Sequence, residues 1–214
     1  MKISEIFYSI EGEGIEIGRP EVFIRLAECN LRCTWCDTKY ALENGKDMSV
    51  NNVIKEVVKY PCKSVSITGG EPLLQREELL KLVQRLKKMD YWIQINTNGT
   101  LFDEEIFTLA DLVSMDCKCP SSKMKSDLSV LEKTSKLFKQ KTQFKFIISD
   151  EGDYEYAVNK VSSYLHGASN IIFQPEWNSK KFARKLVNLV KRDNLDVRII
   201  LQQHKLIWGN RRGV

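Results

Sequence analysis

Three cysteines, Cys29, Cys33 and Cys36, lie within eight residues of one another and are the first candidates for chemistry. Thiolates are the soft ligands that iron–sulfur clusters and zinc prefer. A closed structural zinc site takes about four ligands, usually as two separated pairs, and the sequence has no second pair at that spacing. On a four-iron cluster, three thiolates leave one iron without a protein ligand. The spacing therefore predicts an open iron–sulfur centre, with a structural metal knuckle as the alternative.

The remaining cysteines are predicted to be structural. Cys62 precedes a predicted strand, where a small buried side chain is expected. Cys117 and Cys119 flank Lys118, and a second cluster would need more ligands nearby than this pair provides.

Short polar segments recur along the chain at the ends of apolar runs. They are Thr68–Pro72, Asn96–Gly99, Asp116–Lys118, Gln174–Glu176 and Gln202–His204, and the cysteine segment follows an apolar run in the same way. Their positions relative to the strands decide whether they form one site.

The apolar runs are rich in β-branched residues and alternate with helical segments, which predicts β-α-β units and a largely parallel sheet. Ser49 is a predicted N-cap, and the next helix carries Leu79 to Met89 at helical spacing. Later helices are predicted at Ser126–Phe138, Asp153–Leu165 and Ser179–Arg192. The predicted strands are Val22–Leu26, Ser64–Thr68, Trp92–Asn96, Leu112–Met115, Phe144–Ser149, Asn170–Gln174 and Val197–Leu201.

A full eight-fold barrel usually needs about 250 residues, so this chain of 214 residues predicts an incomplete (β/α) barrel of the α/β class, formed as a single domain over residues 1–214. The carboxyl ends of parallel strands share one edge, where ligands bind. The polar segments and the cysteine loop should therefore meet at this rim, which predicts an enzyme.

The composition excludes several other classes. The chain has 33 basic and 28 acidic residues, a net charge of +5, which is mild for a nucleic-acid-binding surface. The densest basic stretch, Lys136 to Lys145, alternates with apolar residues and predicts a solvated helix face and a strand start. No apolar run reaches the roughly 18–20 residues of a membrane span, and the N-terminus does not resemble a signal peptide. We expect a soluble, cytoplasmic protein with reduced thiols, no membrane contact and no direct nucleic-acid binding.

The cysteine spacing, with Trp35 before the third cysteine, resembles the hallmark of the radical S-adenosylmethionine (SAM) superfamily. Thr68-Gly69-Gly70-Glu71-Pro72 is similar to the superfamily's Gly-Gly-Glu-Pro segment. The resemblance implies a radical-SAM-type barrel, a 4Fe–4S cluster, SAM at the open iron, and an external one-electron reductant of the flavodoxin or ferredoxin type. Glycines allow close approach of the backbone, and Glu71 is an anionic acceptor for the methionine ammonium.

Further segments, spread over nearly the whole chain, resemble the 7-carboxy-7-deazaguanine synthase family. One departure is Glu11, where that family usually has glutamine, so that an acceptor-only carboxylate replaces an amide. The segments are Phe7–Gly14, Gly18–Pro20, Phe23–Arg25, Cys36–Thr38, Asn96–Thr100, Asp116–Ser122 and Gln203–Asn210.

This resemblance implies conversion of 6-carboxy-5,6,7,8-tetrahydropterin to 7-carboxy-7-deazaguanine with loss of ammonia, in queuosine or archaeosine biosynthesis. It implies hydrogen abstraction from pterin C6 by the adenosyl radical, ring contraction, and return of the hydrogen so that SAM is regenerated. Magnesium and a homodimer are also implied. The chemistry is that of a radical SAM carbon–nitrogen lyase.

The resemblance also implies roles for individual residues. Cys29, Cys33 and Cys36 would hold the cluster, and Thr38 would contact Mg²⁺. Arg25 would clamp the substrate carboxylate or form an ordinary ion pair. The implied SAM contacts are Trp35, Cys36, Asp37, Gly70, Glu71, Lys118, Cys119, Pro120, Ser121, Gln174, Pro175, Glu176 and Trp177. The implied substrate contacts are Ile10, Glu11, Gly12, Glu13, Arg25, Thr68, His204 and Val214.

Two alternatives stay open on the sequence. A glycyl-radical enzyme activating protein has the same cysteine loop and glycine turn but acts on a large protein. A non-enzymatic metal-binding or tRNA-binding module is the second. The Glu-Gly-Glu-Gly opening at residues 11–14 and the Gln203-His204-Lys205 tail favour a small pterin.

Overall fold

The computed structural model describes residues 1–43, 45–179 and 181–214, and one mixed sheet dominates it. The sheet has nine strands in the order β3-β1-β2-β4-β5-β6-β7-β8-β9. Strand β1 pairs antiparallel with β2 and β3, and every pairing from β2 to β9 is parallel. The strands are β1 Lys2–Ile10, β2 Pro20–Leu26, β3 Lys46–Asp47, β4 Ser64–Gly69, β5 Trp92–Thr97, β6 Leu112–Cys117, β7 Thr142–Ile148, β8 Ile171–Pro175 and β9 Arg198–Ile199.

Helices connect the parallel strands, and side-chain caps fix where several of them begin. The side chains of Ser49, Asp103, Asp127 and Asp150 each accept a backbone N–H from the first turn of the helix that follows. The helices are α1 Val50–Val57, α2 Arg76–Lys88, α3 Glu104–Leu109, α4 Leu128–Phe138, α5 Glu151–Tyr164, α6 Phe182–Arg192 and α7 Gln203–Trp208. None of the helices in the described ranges is long and apolar enough to cross a membrane.

The two faces of the sheet differ in chemistry because side chains alternate along each strand. On one face, Ile24, Ile67, Ile95, Met115 and Phe146 belong to the hydrophobic core, which also contains the apolar sides of the helices. On the other face, the neighbouring residues at positions 25, 68, 96, 116 and 145 are polar or charged and line a cavity. Adjacent residues of each strand therefore face opposite sides, one the core and the next the cavity, and a register shift of one residue would exchange them.

The predicted fold class is confirmed: the sheet is mostly parallel and does not close. Each predicted strand is present, although the seventh is shortened to Arg198–Ile199. Strand β1 was not predicted, because a bulge between Ile3 and Glu5 breaks its alternation of apolar and polar residues. The short helix α3 was also not predicted. Helix α5 begins at Glu151 rather than Asp153, because Asp150 caps it.

Candidate active site

A cavity of about 620 Å³ lies over the polar face of the sheet. Its rim carries the segments that follow β4, β5, β6 and β8, together with the cysteine loop after β2. The loop after β1 and the C-terminal residues 209–214 complete the lining. The predicted meeting of these segments at one edge is therefore present in the structure.

The three clustered cysteines are free, half-buried thiols that all line this cavity. The sulfur of Cys29 accepts the N–H of Leu31 at 3.4 Å and the side-chain amide of Asn98 at 3.7 Å. Burial raises the pKa of the Cys33 thiol and Lys118 opposes that shift, while the neighbouring thiols add to it. Because three thiolates on one short loop repel one another, the donor set fits a cationic metal centre better than three bare thiolates.

The glycine turn after β4 lies directly against the cysteine loop. The N–H of Glu71 donates to the carbonyl of Glu28 at 2.8 Å, and the N–H of Gly70 donates to that of Leu26 at 3.0 Å. A Cβ at Gly70 would collide with the Glu28 carbonyl, so only glycine allows this approach. The turn and the loop thus form one backbone unit at the rim.

The Glu71 carboxylate lies behind this rim, fully buried and outside the cavity lining. It accepts the N–H of Leu73 at 3.1 Å, the hydroxyl of Thr97 at 3.0 Å and the N–H of Asn98 at 2.6 Å. Burial raises the pKa of Glu71 to about 7, against the effect of these donors. The side chain joins the segments after β4 and β5, and its contact with the methionine ammonium stays a prediction.

The loop between β1 and β2 contacts polar side chains of β4, β5 and β7 and forms the floor of the cavity. The N–H of Ile15 donates to the side chain of Gln143 at 2.8 Å, and the N–H of Gln203 donates to the carbonyl of Gly12 at 2.9 Å. A Cβ at Gly12 would overlap the His204 ring, so glycine at this position lets His204 pack on the floor. The floor therefore depends on contacts between the two ends of the chain.

A buried chain of charges crosses the cavity between floor and rim. The Lys145 ammonium forms a close ion pair with Glu13 and lies 3.3 Å from Asp116. Asp116 also pairs with Lys118 at 2.6 Å. Although burial lowers the pKa of Lys145, the charges of Asp116 and Glu13 outweigh it and hold that pKa above its ordinary value. Burial raises the pKa of Glu13, but Lys145 and then His204 outweigh burial and hold it well below its usual range.

Glu11 lies beside this chain of charges, and no cation of the described residues lies within ion-pair distance of it. Its carboxyl accepts the N–H of Glu13 at 3.1 Å, the amide of Gln94 at 2.8 Å and the hydroxyl of Ser66 at 3.4 Å. Burial and the charge of Glu13 raise the pKa of Glu11 to about 7. At neutral pH this carboxyl can therefore exchange a proton, which a glutamine amide cannot do.

Two carboxylates and one imidazole come together between the floor and the cysteine loop. One ligand atom each from Glu13, Asp37 and His204 lies within 4.8 Å of the others, and Thr38 lines the same cavity. Asp37 also pairs with Lys205 at 2.9 Å. Carboxylate and hydroxyl oxygens suit Mg²⁺, which keeps several water ligands. These residues fit a magnesium ion with an incomplete protein shell.

Arg25 forms the ion pair that was one of its two predicted roles, and its contact with a substrate carboxylate stays a prediction. Its Nε donates to Glu5 at 2.7 Å, and the Tyr40 hydroxyl donates to the same oxygen at 2.7 Å. The guanidinium of Arg212, near the C-terminus, lies 3.4 Å from the centre of the Tyr40 ring. Arg25 is thus in an ion pair and also lines the cavity.

The cavity brings together most of the predicted contact residues, including Ile10, Thr68, Trp177 and Val214. Ser121 is outside the lining but accepts the Trp35 indole N–H at 3.2 Å, and Cys119 is fully buried in the core. Their predicted contacts with SAM stay predictions. The predicted residues outside the lining are Glu71, Cys119, Pro120, Ser121 and Pro175.

Gln174 offers an acceptor to a ligand of this cavity. The side-chain oxygen of Gln174 is buried, lines the cavity and has no hydrogen-bond partner among the described residues, so it fits a ligand donor.

Lys145 was not identified from sequence as a site residue. A charged side chain inside the apolar run of residues 144–148 was the signal for it.

Comparison with known proteins gives one consistent result. Residues 24–118 match the Radical SAM superfamily. Over its full length the chain is 36% identical to the 7-carboxy-7-deazaguanine synthase of Thermoplasma acidophilum, covering 100% of both proteins. It is 38% identical to the enzyme of that name from Koribacter versatilis, covering 97% of each. The crystal structure of QueE from Escherichia coli superposes with a TM-score of 0.74 at 24% identity, covering 95% of this chain and 94% of that one, which supports the fold.

Proposed function

The chain belongs to the 7-carboxy-7-deazaguanine synthase family of radical SAM enzymes, and we propose that it catalyses the reaction of that family. It converts 6-carboxy-5,6,7,8-tetrahydropterin to 7-carboxy-7-deazaguanine with loss of ammonia. The observation that carries the proposal is one cavity that is lined by the cysteine loop, the glycine turn and a charged floor. The relatives, aligned over their full lengths, disfavour a glycyl-radical activating enzyme and a non-enzymatic metal module.

The cysteine loop and the rim hold the cofactors. Cys29, Cys33 and Cys36 would hold a 4Fe–4S cluster, and the glycine turn and the Gln174 segment would hold SAM. When bound, the cluster and SAM supply the adenosyl radical. The protein's own contribution is position: Trp35 is fixed by Ser121, and Lys118 lies 5.3 Å from the centre of the Trp35 ring. The C-terminal residues also line the cavity, where they would limit the access of water.

The floor recognises the pterin ring. Glu11 and Glu13 offer acceptors to ring N–H groups, and Lys145 keeps Glu13 ionised. Glu11, with its raised pKa, can also donate as a neutral acid to a ring carbonyl. Arg25 and His204 face the same space, where a guanidinium suits the substrate carboxylate.

Magnesium binds where the oxygen ligands come together. Thr38 and Asp37 contribute oxygens from the loop after Cys36, and Glu13 approaches from the floor. A bound ion would take its remaining ligands from the substrate carboxylate and from water. Asp37 and Thr38 would in this way help to hold the substrate near the cysteine loop.

The remaining parts of the proposal concern assembly and context. Residues 1–214 act as one catalytic domain, since a single sheet carries both the cluster loop and the floor. The protein works as a homodimer in the reducing cytoplasm, where its three cluster thiols stay free. It receives electrons from a flavodoxin or ferredoxin and supplies queuosine or archaeosine biosynthesis.

The test is product formation under anaerobic conditions. Protein reconstituted with iron and sulfide, then supplied with dithionite, magnesium, SAM and carboxytetrahydropterin, is expected to form carboxydeazaguanine, detected by mass spectrometry. An intact cluster that cleaves SAM without forming this product would reject the substrate and leave the superfamily chemistry in place.

A cysteine pair tests the cluster ligands separately. Cys33→Ala is expected to abolish the four-iron absorption and electron paramagnetic resonance signals, whereas Cys62→Ala, outside the cavity, should retain them. A normal cluster in the Cys33 variant would contradict the ligand assignment.

A further inference from the structure

The side-chain amide of Asn98 lies against the first of the three clustered cysteines. Asn98 follows directly after β5 and is buried, and its Nδ2 donates to the sulfur of Cys29 at 3.7 Å. The same sulfur accepts the backbone N–H of Leu31 at 3.4 Å. An amide donor placed beside a cysteine sulfur can act on a metal centre that the cysteine holds.

Three side chains fix the orientation of this amide in a closed cycle of hydrogen bonds. The Nδ2 of Asn98 also donates to the side-chain oxygen of Asn30 at 2.8 Å, and the Nδ2 of Asn30 donates to the hydroxyl of Thr100 at 2.8 Å. The Thr100 hydroxyl donates in turn to the side-chain oxygen of Asn98 at 2.6 Å. The cycle uses one amide hydrogen of Asn98, and the second hydrogen is the one that Cys29 accepts.

The backbone of Thr100 excludes the reversed orientation of the amide. Its N–H donates to the side-chain oxygen of Asn98 at 3.0 Å. Turning the amide over would set the NH₂ group of Asn98 against this N–H, and neither group can accept a hydrogen bond. The donor of Asn98 therefore stays on the side of Cys29.

The main chain at Asn98 is held from the opposite direction. Its N–H donates to the buried carboxylate of Glu71 at 2.6 Å, and the Thr97 hydroxyl donates to the same carboxylate at 3.0 Å. Backbone and side chain are thus both fixed before any cofactor binds, so the amide needs little rearrangement to contact a sulfur ligand.

We propose that Asn98 raises the reduction potential of the 4Fe–4S cluster by donating this hydrogen bond to the Cys29 sulfur. The inference rests on the proposed function, because it requires a cluster on Cys29, Cys33 and Cys36. A hydrogen bond to a cysteine sulfur withdraws charge from the iron, and it stabilises the reduced form more because that form carries one more electron.

The role of Asn98 is exerted through Cys29, which makes Asn98 a positioning residue. One electron passes from the external reductant to the cluster, and no covalent bond of the protein forms or breaks in that step. A higher potential makes this reduction easier, and SAM can be cleaved only after it. The measurable consequence is therefore a shift of the midpoint potential of the cluster.

The test replaces Asn98 by leucine, which has the branched shape of asparagine but no donor. The matched control is Asn96→Leu, because Asn96 lies two residues earlier, on β5, and donates its amide to the Ser66 hydroxyl at 2.8 Å rather than to a sulfur. Both substitutions leave the net charge unchanged. The cluster is reconstituted anaerobically in each protein, and its midpoint potential is measured without SAM or substrate by a redox titration followed by electron paramagnetic resonance.

Asn98→Leu is expected to make the cluster about tenfold harder to reduce, which corresponds to a potential about 59 mV more negative for one electron. The control should keep the wild-type potential. Electron–nuclear double resonance of the reduced cluster after transfer to D₂O gives a second readout. The coupling to exchangeable deuterons should weaken in the Asn98 variant and stay unchanged in the control.

A second pair of variants serves if Asn98→Leu does not hold a cluster. Asn98→Asp removes the donor but keeps the oxygen that accepts the Thr100 N–H, and Asn96→Asp adds the same charge on the same strand. The potential should then fall further in the Asn98 variant than in its control.

Two outcomes would overturn the inference alone. The first is a wild-type potential in the Asn98 variant, and the second is an equal fall in the Asn98 and Asn96 variants, which would reflect the lost amide or the added charge in general. Absence of a four-iron cluster from the wild type would reject the proposed function and this inference with it. A wild-type cluster that forms no product would reject the proposed substrate, while the potentials, measured without substrate, would still decide the role of Asn98.

Discussion

Lys145 is the residue on which the buried charges of the site depend. It is 8% exposed and is paired with Glu13 and Asp116, while Asp116 has a second partner in Lys118. Lys145→Met keeps the length and the apolar stem of the side chain but removes its charge. Among the described residues, Glu13 then retains the neutral amide of Gln202, at 2.6 Å, as a side-chain hydrogen-bond donor, and this donor is weaker than the lost ammonium.

The expected cost follows from leaving a carboxylate buried without its cation. Breaking a buried ion pair costs about 3–5 kcal/mol, and because Glu13 borders a cavity we take about 2–3 kcal/mol at pH 7. For a chain of this size, that loss corresponds to a fall in Tm of about 5–10 °C. In the wild type, Lys145 holds the pKa of Glu13 below its ordinary value against the effect of burial, so the stabilisation is present above pH 4.5 and is lost as pH falls further.

The variant should show the opposite pH dependence at Glu13. Without Lys145, burial raises the pKa of Glu13, so protonation at lower pH relieves the cost. The stability difference between variant and wild type should therefore be largest at pH 7 and smaller at pH 5.

Urea unfolding of the reduced protein, followed by far-ultraviolet circular dichroism at both pH values, measures this difference. Lys136→Met is the control, because Lys136 forms a surface pair with Glu132 at 2.6 Å and should lose less than about 1 kcal/mol. The double variant Glu13→Gln with Lys145→Met should recover much of the loss. A Lys145 variant as stable as the control, or a difference independent of pH, would refute the electrostatic reasoning.

Two further substitutions test the floor. Glu11→Gln should match the wild type in stability near pH 5 and exceed it by about 1–3 kcal/mol near pH 8. The wild-type protein loses stability as pH rises through the raised Glu11 pKa of about 7, because the buried carboxyl must then ionise. An equal difference in unfolding free energy at both pH values would contradict this. Gly12→Ala should displace the His204 ring and lower turnover more than tenfold with the cluster absorption unchanged. Gly152→Ala is its control, since the new Cβ would lie 3.4 Å from Asp150 Oδ1, and equal activity of the two variants would reject a role for His204 packing.

Periodicity was sufficient to predict the parallel part of the sheet. Each strand from β4 to β8 is a short apolar run, and the helices between them have one apolar side in the core. Strand β1 was missed because its bulge interrupts the alternation of apolar and polar residues that indicates a strand. Helix α3 was missed because six residues give too few turns for a periodic signal.

The rim of the site was predictable, whereas its floor was not. The rim residues follow strands directly, so local sequence places them at one edge. The floor depends on pairs far apart in sequence: Glu13 with Lys145 are 132 positions apart, and Glu13 with Gln202 are 189 apart. Nothing in the residues between them indicates this pairing. The motif at residues 11–14 suggested a contact region, but its partners appear only when the sheet is assembled.

The same alternation that gives the sheet its core also buries polar and charged side chains on the cavity face, which lowers the stability of the fold. The cavity-facing residues at positions 25, 68, 96, 116 and 145 are polar or charged, while an adjacent residue of each strand faces the apolar core. The charges are satisfied in pairs, yet Gln174 retains a buried oxygen without a partner in the described residues. Buried acceptors of this kind cost free energy until a donor arrives. The unsatisfied acceptor and Glu11, which has no cation within ion-pair distance among the described residues, are therefore positions where a bound ligand would add stability, so ligand affinity and protein stability are linked through the same side chains.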